Sequence, residues 1–171
     1  WLSLRNAAIF VSRIRDVLSE KDPAHAGAYE ANTAAYLARL HDLDIRYSKA
    51  VASSKRKVML FGDRFPFRYL ADDYGLSYYA AFAGCSAESE ASFETVGFLA
   101  KKVDELKLPV VLTLEGGDKR IAKTVVSSTD GKTAKILSMD SMQSAKSGDS
   151  NGFSFLSIME GNLEVLKAAL R

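Results

Sequence analysis

The sequence predicts an α/β fold: a parallel four-stranded sheet flanked by helices and preceded by a long connecting helix. Two observations carry this prediction. From residue 55 onward short apolar runs alternate with helical segments, and such alternation produces a parallel sheet with helices on both faces. Before residue 55 the apolar residues recur only at helical spacing. With 171 residues, 47% of them hydrophobic, the chain can bury a sizeable core and fits one domain, or one domain plus a piece of another.

The first 54 residues are predicted to form two helices. Ser3 is a suitable N-cap for the first of them. Its apolar positions are Ala7, Phe10, Val11, Ile14, Val17 and Leu18. Asp22 and Pro23 indicate an N-cap followed by proline at the first position of a second helix, which extends to about Ala52. Its apolar stripe comprises Tyr29, Thr33, Tyr36, Leu37, Leu40 and Leu43. A helix this long is either a spine between two lobes or a surface helix on one core.

The remaining sequence supplies the strands and helices of the sheet. The predicted strands are Val58–Phe61, Tyr78–Phe82, Pro109–Leu114 and Lys135–Leu137. The predicted helices are Phe67–Asp73, Glu88–Leu106, Asp118–Ser128 and Asn151–Leu170. In the helix that starts at Glu88, the side chains expected to face inward are Phe93, Val96, Leu99, Ala100 and Val103. The small polar segment Ser144–Asn151 is predicted to be a loop.

Residues that could carry chemistry follow the predicted strands. Ligands of parallel sheets bind beyond the carboxyl ends of the strands. The ionisable residues in these segments are Asp63, Arg64, Cys85, Glu88, Glu115, Asp118 and Asp140. Carboxylates and a thiol at one sheet edge could ligate a metal, since zinc takes cysteine, histidine and carboxylate whereas manganese favours oxygen. The alternative is that these acids cap the helices that follow them.

Other classes of function have little support in the sequence. The net charge of +2 and the scattered basic residues do not indicate nucleic-acid binding. The single cysteine, Cys85, excludes an intrachain disulfide. His25 and His41 lie too far apart on one helix to share a metal. Gly116-Gly117 alone is a weak signal for phosphate binding. A small α/β enzyme with Cys85 as nucleophile remains an alternative, although no histidine base is apparent.

Several segments together resemble the metal-binding solute-binding proteins of ABC importers. Trp1-Leu2-Ser3-Leu4-Arg5-Asn6-Ala7 resembles the Trp-Leu-Ser-Pro-x-Asn-Ala segment of that family. Phe67-x-Tyr69-Leu70-Ala71 with Tyr74-Gly75-Leu76 is similar to its Phe-x-Tyr-Leu-Ala…Tyr-Gly-Leu stretch, and Glu88-x-Glu90-Ala91-Ser92 to its Glu-x-Glu-Pro-Ser helix start. The resemblance covers nearly the whole chain, and the joint order of the segments is more specific than any one of them.

The resemblance implies an architecture and a role. Members of the family have two α/β lobes joined by a long helix, with the metal held between the lobes. Residues 1–21 would be the tail of the N-terminal lobe, 22–54 the connecting helix and 55–171 the C-terminal lobe. The role would be an extracytoplasmic binding component, periplasmic or lipid-anchored, that delivers zinc or manganese to an ABC permease and is not an enzyme. Since the chain begins at Trp1 without a methionine, we expect a truncated or processed product.

The resemblance also implies a ligand set. Two histidine ligands of the family would lie upstream of Trp1. The position of a third falls on Arg64, which stays protonated and does not bind metals, so the neighbouring Asp63 could substitute. Cys85 falls near a further ligand position, Asp140 matches the final acidic ligand, and Glu115 matches a carboxylate that orients other ligands.

Arg64 leaves a second interpretation open. The site could be altered, with Arg64 pairing an anionic ligand or an internal carboxylate such as Asp140 or Glu115. For residues 1–171 alone we expect weak metal binding, because two histidine ligands would be missing. We also expect self-association, because apolar residues such as Phe10 and Ile14 would be exposed.

Overall fold

The computed structural model describes residues 2–82, 91–143 and 154–171. Cys85, Glu88 and the whole of the predicted loop at 144–151 lie outside these residues. The elements are α1 (Leu4–Lys21), a 3₁₀ turn (Pro23–His25), α2 (Ala26–Ala52), β1 (Val58–Arg64), α3 (Arg68–Tyr74), β2 (Ser77–Phe82), α4 (Phe93–Glu105), β3 (Val110–Leu114), α5 (Arg120–Ser127), β4 (Lys135–Met139) and α6 (Phe155–Ala169). The predicted α/β class and the long helix before the sheet are confirmed.

The four strands form one parallel sheet in the order β2-β1-β3-β4. Val58 pairs with Ser77, and Val110 pairs with Lys135. The ladder between β1 and β2 is irregular between Phe61 and Arg64. Because the strands are parallel, their carboxyl ends lie at one edge of the sheet, which we call the carboxyl edge.

Successive side chains of each strand point to opposite faces of the sheet, and they contribute to two separate hydrophobic cores. Phe61 of β1 belongs to the larger core, which holds Leu43 of α2, Leu70 of α3 and Leu163 of α6. Leu60, one residue earlier, belongs to the second core. Its other members are Val96, Leu99, Ala100, Val103, Leu108, Val111, Ala122 and Val125. The sheet is therefore the middle layer, with α4 and α5 on one face.

The two N-terminal helices begin in different ways. The Ser3 hydroxyl accepts a hydrogen bond from the Asn6 N–H at 3.0 Å, so the predicted N-cap of α1 is confirmed. Asp22 does not cap the second helix through its side chain. Its carboxylate instead accepts from the Tyr29 hydroxyl at 2.7 Å, and the chain makes a 3₁₀ turn before α2 begins.

Helix α4 departs from its prediction at its start. It begins at Phe93 rather than Glu88, because the Ser92 hydroxyl accepts from the Thr95 N–H and caps the helix there. The Phe93 side chain is 96% exposed, so its predicted inward orientation is wrong. The other four predicted inward residues of this helix are buried. None of the helices in the described parts of the chain is both long and apolar enough to span a membrane.

Candidate metal centre at the carboxyl edge

Asp63 lies near the end of β1 and connects it to the neighbouring strand. Its Oδ2 accepts a hydrogen bond from the backbone N–H of Leu114 at 3.1 Å, and its Oδ1 accepts from the N–H of Arg64 at 2.8 Å. A Cβ added to Gly117 would lie 3.4 Å from Asp63 Oδ2. The carboxylate is thus enclosed by the ends of β1 and β3, and both oxygens already accept backbone N–H groups.

Arg64 ends β1 with a side chain that is 43% exposed. Its Nε lies 3.8 Å from Asp63 Oδ1, so its ion-pair partner in the structure is Asp63 rather than Asp140 or Glu115. A cleft of about 220 Å³ opens beside this pair. Its lining residues are Gly62, Asp63, Arg64, Phe82, Leu114, Glu115, Gly117, Asp118, Lys119, Arg120 and Ile121. The cleft contains three carboxylates and three cations, and it lies where the parallel topology predicts a ligand site.

Asp118, at the foot of this cleft, acts on the start of the following helix. Its Oδ1 accepts from the N–H of Arg120, the first residue of α5, at 2.9 Å, and its Oδ2 accepts from the Arg120 guanidinium. The backbone hydrogen bond, followed by the guanidinium, lowers the pKa of the Asp118 carboxyl. For this residue the interpretation as a helix-capping acid fits the structure.

Glu115 follows β3 and holds the backbone that follows β4. Its Oε2 accepts from the N–H of Ser141 at 2.8 Å, and its Oε1 accepts from the Ser141 hydroxyl at 2.7 Å. The Glu115 N–H donates to the carbonyl of Met139 at 3.1 Å. Glu115 therefore holds Ser141, the residue after Asp140, and its role in orienting a ligand stays a prediction.

Asp140 immediately follows β4 and is held by α6. Its backbone N–H donates to Asn162 Oδ1, and its carbonyl accepts from Asn162 Nδ2, both at 2.8 Å. Asp140 Oδ1 accepts from the N–H of Met142 at 2.7 Å, where the chain takes a left-handed conformation with φ +61°. Among the described residues Asp140 Oδ2 has no hydrogen-bond donor, so it is available to a ligand.

The predicted site residues therefore fall into two groups at one edge. Asp63, Arg64, Glu115 and Asp118 line the cleft between β1 and β3, whereas Asp140 lies beyond β4. Glu115 links the two groups, because it also accepts the N–H of Ser141. Within residues 2–82, 91–143 and 154–171, no three histidine, cysteine or acidic side chains come together as a metal site. His25 contacts Asp22, and His41 lines a groove between α1 and α2, away from this edge.

Sequence reasoning gave no role to Asn162 or Ser141. Asn162 is only 2% exposed, and it is an amide among the apolar residues Met159, Leu163 and Leu166 of α6. A polar residue inside an apolar helical stripe is a usable signal, because a buried amide needs hydrogen-bond partners.

Comparison with protein families identifies the class of this domain. Its parallel sheet with flanking helices and its long preceding helix are those of a solute-binding protein. Residues 1–169 match the family described as ZnuA, zinc-uptake complex component A periplasmic. The chain belongs to this family.

Two curated relatives illustrate the match. The zinc-binding lipoprotein AdcA of Streptococcus pneumoniae is 31% identical over 169 residues, which cover 98% of this chain and 32% of AdcA. The high-affinity zinc uptake system protein ZnuA of Bacillus subtilis is 29% identical over 170 residues, covering 99% of this chain and 52% of ZnuA. The chain thus spans about a third to a half of the length of these relatives.

Solved structures show the same fold. The metal-dependent lipoprotein YcdH from Bacillus subtilis superposes with a TM-score of 0.84 and 28% identity, over all of this chain and 63% of that one. The Zn(II)-bound ZnuA-like domain of Streptococcus pneumoniae AdcA gives 0.79 and 30%, over 99% and 62%. AdcA is named as a zinc-binding lipoprotein, and the matching family is described as a zinc-uptake component. The prediction that the chain is not an enzyme is confirmed, against the alternative of a Cys85 nucleophile.

Proposed function

We propose that this protein is the extracytoplasmic binding component of a zinc ABC importer, which captures the ion and delivers it to the membrane permease. The observation that carries the proposal is Asp140 Oδ2 at the carboxyl edge, which accepts no hydrogen bond from the described residues, in a chain that matches a zinc-uptake family over residues 1–169. The word periplasmic in the family description and lipoprotein in the name of AdcA support a location outside the cytoplasm.

The proposal assigns a part of the binding protein to each segment. Residues 1–21 belong to the N-terminal lobe, 22–54 form the connecting helix, and 55–171 form the C-terminal lobe. The 27-residue length of α2 supports the connecting role, and the sheet begins only after it. The ion would then lie between the carboxyl edge of this sheet and a second lobe.

The proposed ligand set is led by Asp140, with Asp63 and Cys85 as further candidates. Asp140 ranks first because, within the described parts of the chain, one of its oxygens has no hydrogen-bond donor, whereas each oxygen of Asp63 accepts a backbone N–H. Glu115 is proposed to orient Asp140 through Ser141 rather than to bind the ion. Zinc usually takes four ligands, so the remaining donors would come from the other lobe.

Zinc is proposed ahead of manganese. The names of the curated relatives mention zinc, and zinc accepts carboxylate together with histidine or cysteine. Manganese favours a larger number of oxygen donors. Because Arg64 cannot bind a metal, this lobe offers one ligand fewer than the family pattern implies. This loss disfavours manganese more than zinc, since manganese needs more ligands.

Calorimetry on the intact protein tests this proposal. We expect ZnCl₂ to bind in a one-to-one ratio and to raise the melting temperature, with MnCl₂ binding more weakly. Asp140→Ala should weaken zinc binding by about tenfold or more. Asp72→Ala is the matched control, because Asp72 is an exposed acid of α3 that pairs with Arg68. An intact protein that zinc does not stabilise would refute the proposal, and tight binding by residues 1–171 alone would refute the ligand set.

A further inference from the structure

We propose that Asn162 is a positioning residue that fixes the direction in which Asp140 presents its free oxygen to the metal. This inference rests on the proposed function, since it assumes that Asp140 is a ligand. It goes further by assigning a role in ion binding to a buried residue of α6 that does not touch the ion.

Both polar atoms of the Asn162 amide bond to one residue. Its Oδ1 accepts from the Asp140 N–H and its Nδ2 donates to the Asp140 carbonyl, so both polar atoms contact the same backbone unit at 2.8 Å. With 2% exposure, Asn162 has no alternative partner in solvent. The pair of bonds therefore fixes the Asn162 rotamer and ties Asp140 to α6 across 22 residues of sequence.

A second set of hydrogen bonds holds the turn from Asp140 to Met142, and it comes from the residue that follows β3. Glu115 accepts both the N–H and the hydroxyl of Ser141, the residue next to Asp140. Met142, in its left-handed conformation, then donates its N–H to Asp140 Oδ1. The turn from Asp140 to Met142 is thus held by α6 and by the end of β3 before any ion arrives.

Asp140 Oδ1 therefore accepts a hydrogen bond from the protein, whereas Oδ2 accepts none from the described residues. An immobilised carboxylate of this kind favours single-oxygen coordination, which suits four-coordinate zinc better than a metal that collects more oxygen ligands. Preorganised ligands also lose less conformational freedom on binding. Freeing the turn should therefore weaken zinc binding and narrow the preference for zinc over manganese.

Two substitutions in the intact protein remove the Asn162 bonds with opposite effects on packing. Asn162→Ala leaves a cavity beside Leu163, whereas Asn162→Leu fills the space with an apolar side chain, so at least one should remain folded. Zinc affinity is measured by competition with a chromophoric chelator. We expect both variants to bind zinc about 10- to 100-fold more weakly, with a smaller loss for manganese.

A double-mutant cycle separates positioning from general stability. In an Asp140→Ala background the Asn162 substitutions should have little further effect, because they act through Asp140. Leu166→Ala is the control. Leu166 is buried on α6 like Asn162, but its apolar side chain cannot form hydrogen bonds with the turn. It should lower the melting temperature and leave zinc affinity unchanged.

The outcomes are distinct. Unchanged zinc affinity in the folded Asn162 variants, or an equal loss with and without Asp140, would overturn the positioning role while leaving the proposed function intact. Wild-type protein that does not bind zinc, or Asp140→Ala that binds it normally, would overturn the ligand assignment and this inference with it.

Discussion

The ring of Tyr47 in α2 stacks on the ring of Tyr74 at the end of α3, with centroids 5.1 Å apart and planes 13° apart. Each hydroxyl donates a hydrogen bond to a residue outside the pair. Tyr47 donates to the carbonyl of Met159 in α6 at 2.7 Å, and Tyr74 donates to Asp44 Oδ1 at 2.8 Å. The stacked pair therefore joins α2 to α3 and α6.

This pair predicts a loss of stability at alkaline pH. Burial raises the pKa of both tyrosines far above its ordinary value, and the hydrogen bond to Asp44 raises that of Tyr74 further. Unfolded tyrosine ionises near pH 10. The contribution of these tyrosines to stability should therefore be constant below about pH 10. Above that pH stability should fall by about 1.4 kcal/mol per pH unit for each buried tyrosine, because only the unfolded chain releases the protons.

Urea unfolding at a series of alkaline pH values measures this slope. Tyr74→Phe should reduce this slope by about 1.4 kcal/mol per pH unit, which corresponds to one proton. Tyr69→Phe, at an exposed position, should leave the slope unchanged. Identical slopes for wild-type protein and Tyr74→Phe would contradict the prediction.

Gly62 is predicted to tolerate no side chain. A Cβ at this position of β1 would lie 2.6 Å from the Cα and 2.8 Å from the Cβ of Ala122, because α5 packs directly against the strand. Gly62→Ala should destabilise the fold by about 1–3 kcal/mol in urea unfolding. Gly97→Ala in α4 is the control: no atom lies within 4 Å of its Cβ position, and we expect a gain of about 0.5–1 kcal/mol. Equal stabilities would refute this packing.

Asp63 is predicted to stabilise the carboxyl edge whether or not it binds an ion. Asp63→Ala would leave the N–H of Leu114 without its acceptor, at a cost of about 1–3 kcal/mol in metal-free protein. Asp72→Ala removes only an exposed ion pair with Arg68 and should change stability by less than about 0.5 kcal/mol. An equal effect of the two substitutions would show that the bond to Leu114 contributes nothing.

Helices and strands could be predicted from the sequence because their signals are local. Periodicity located every strand within a few residues, and Ser3 indicated the start of α1. Phe93 shows the limit of periodicity. It lies in phase with Val96 and Ala100, yet it is exposed. The pattern gives the direction of a side chain, whereas burial also requires a neighbouring element on that side.

The candidate site was predictable only as a set of strand ends. Parallel topology placed Asp63, Glu115 and Asp140 at one edge, but not their partners. Asn162 contacts Asp140 from 22 residues away, and Asp63 reaches Leu114 across 51 residues. Such pairs depend on how helices pack on the sheet, which no local spacing in the sequence encodes.

Arg64 gives a prediction about zinc affinity. It occupies the position where the resemblance to the family expects histidine, and a protonated guanidinium cannot donate an electron pair to a metal. Arg64→His should strengthen zinc binding by the intact protein about tenfold or more, measured by chelator competition. Arg68→His, on the exposed face of α3, should have no effect. Unchanged or weaker binding by Arg64→His would show that this position does not face the ion.

The exposed face of α1 predicts self-association of residues 1–171. Phe10 is 60% and Ile14 58% exposed, and Ile9, Val17 and Leu18 extend the same apolar surface. Apolar surface of this extent favours association in water. Light scattering should show a mass that rises with concentration, and Phe10→Gln with Ile14→Gln should shift the protein toward monomer. Phe93→Gln removes a ring on α4 that is even more exposed and lies outside this face, and it should leave the association unchanged. A wild-type chain that stays monomeric at every concentration would show that this face does not drive association.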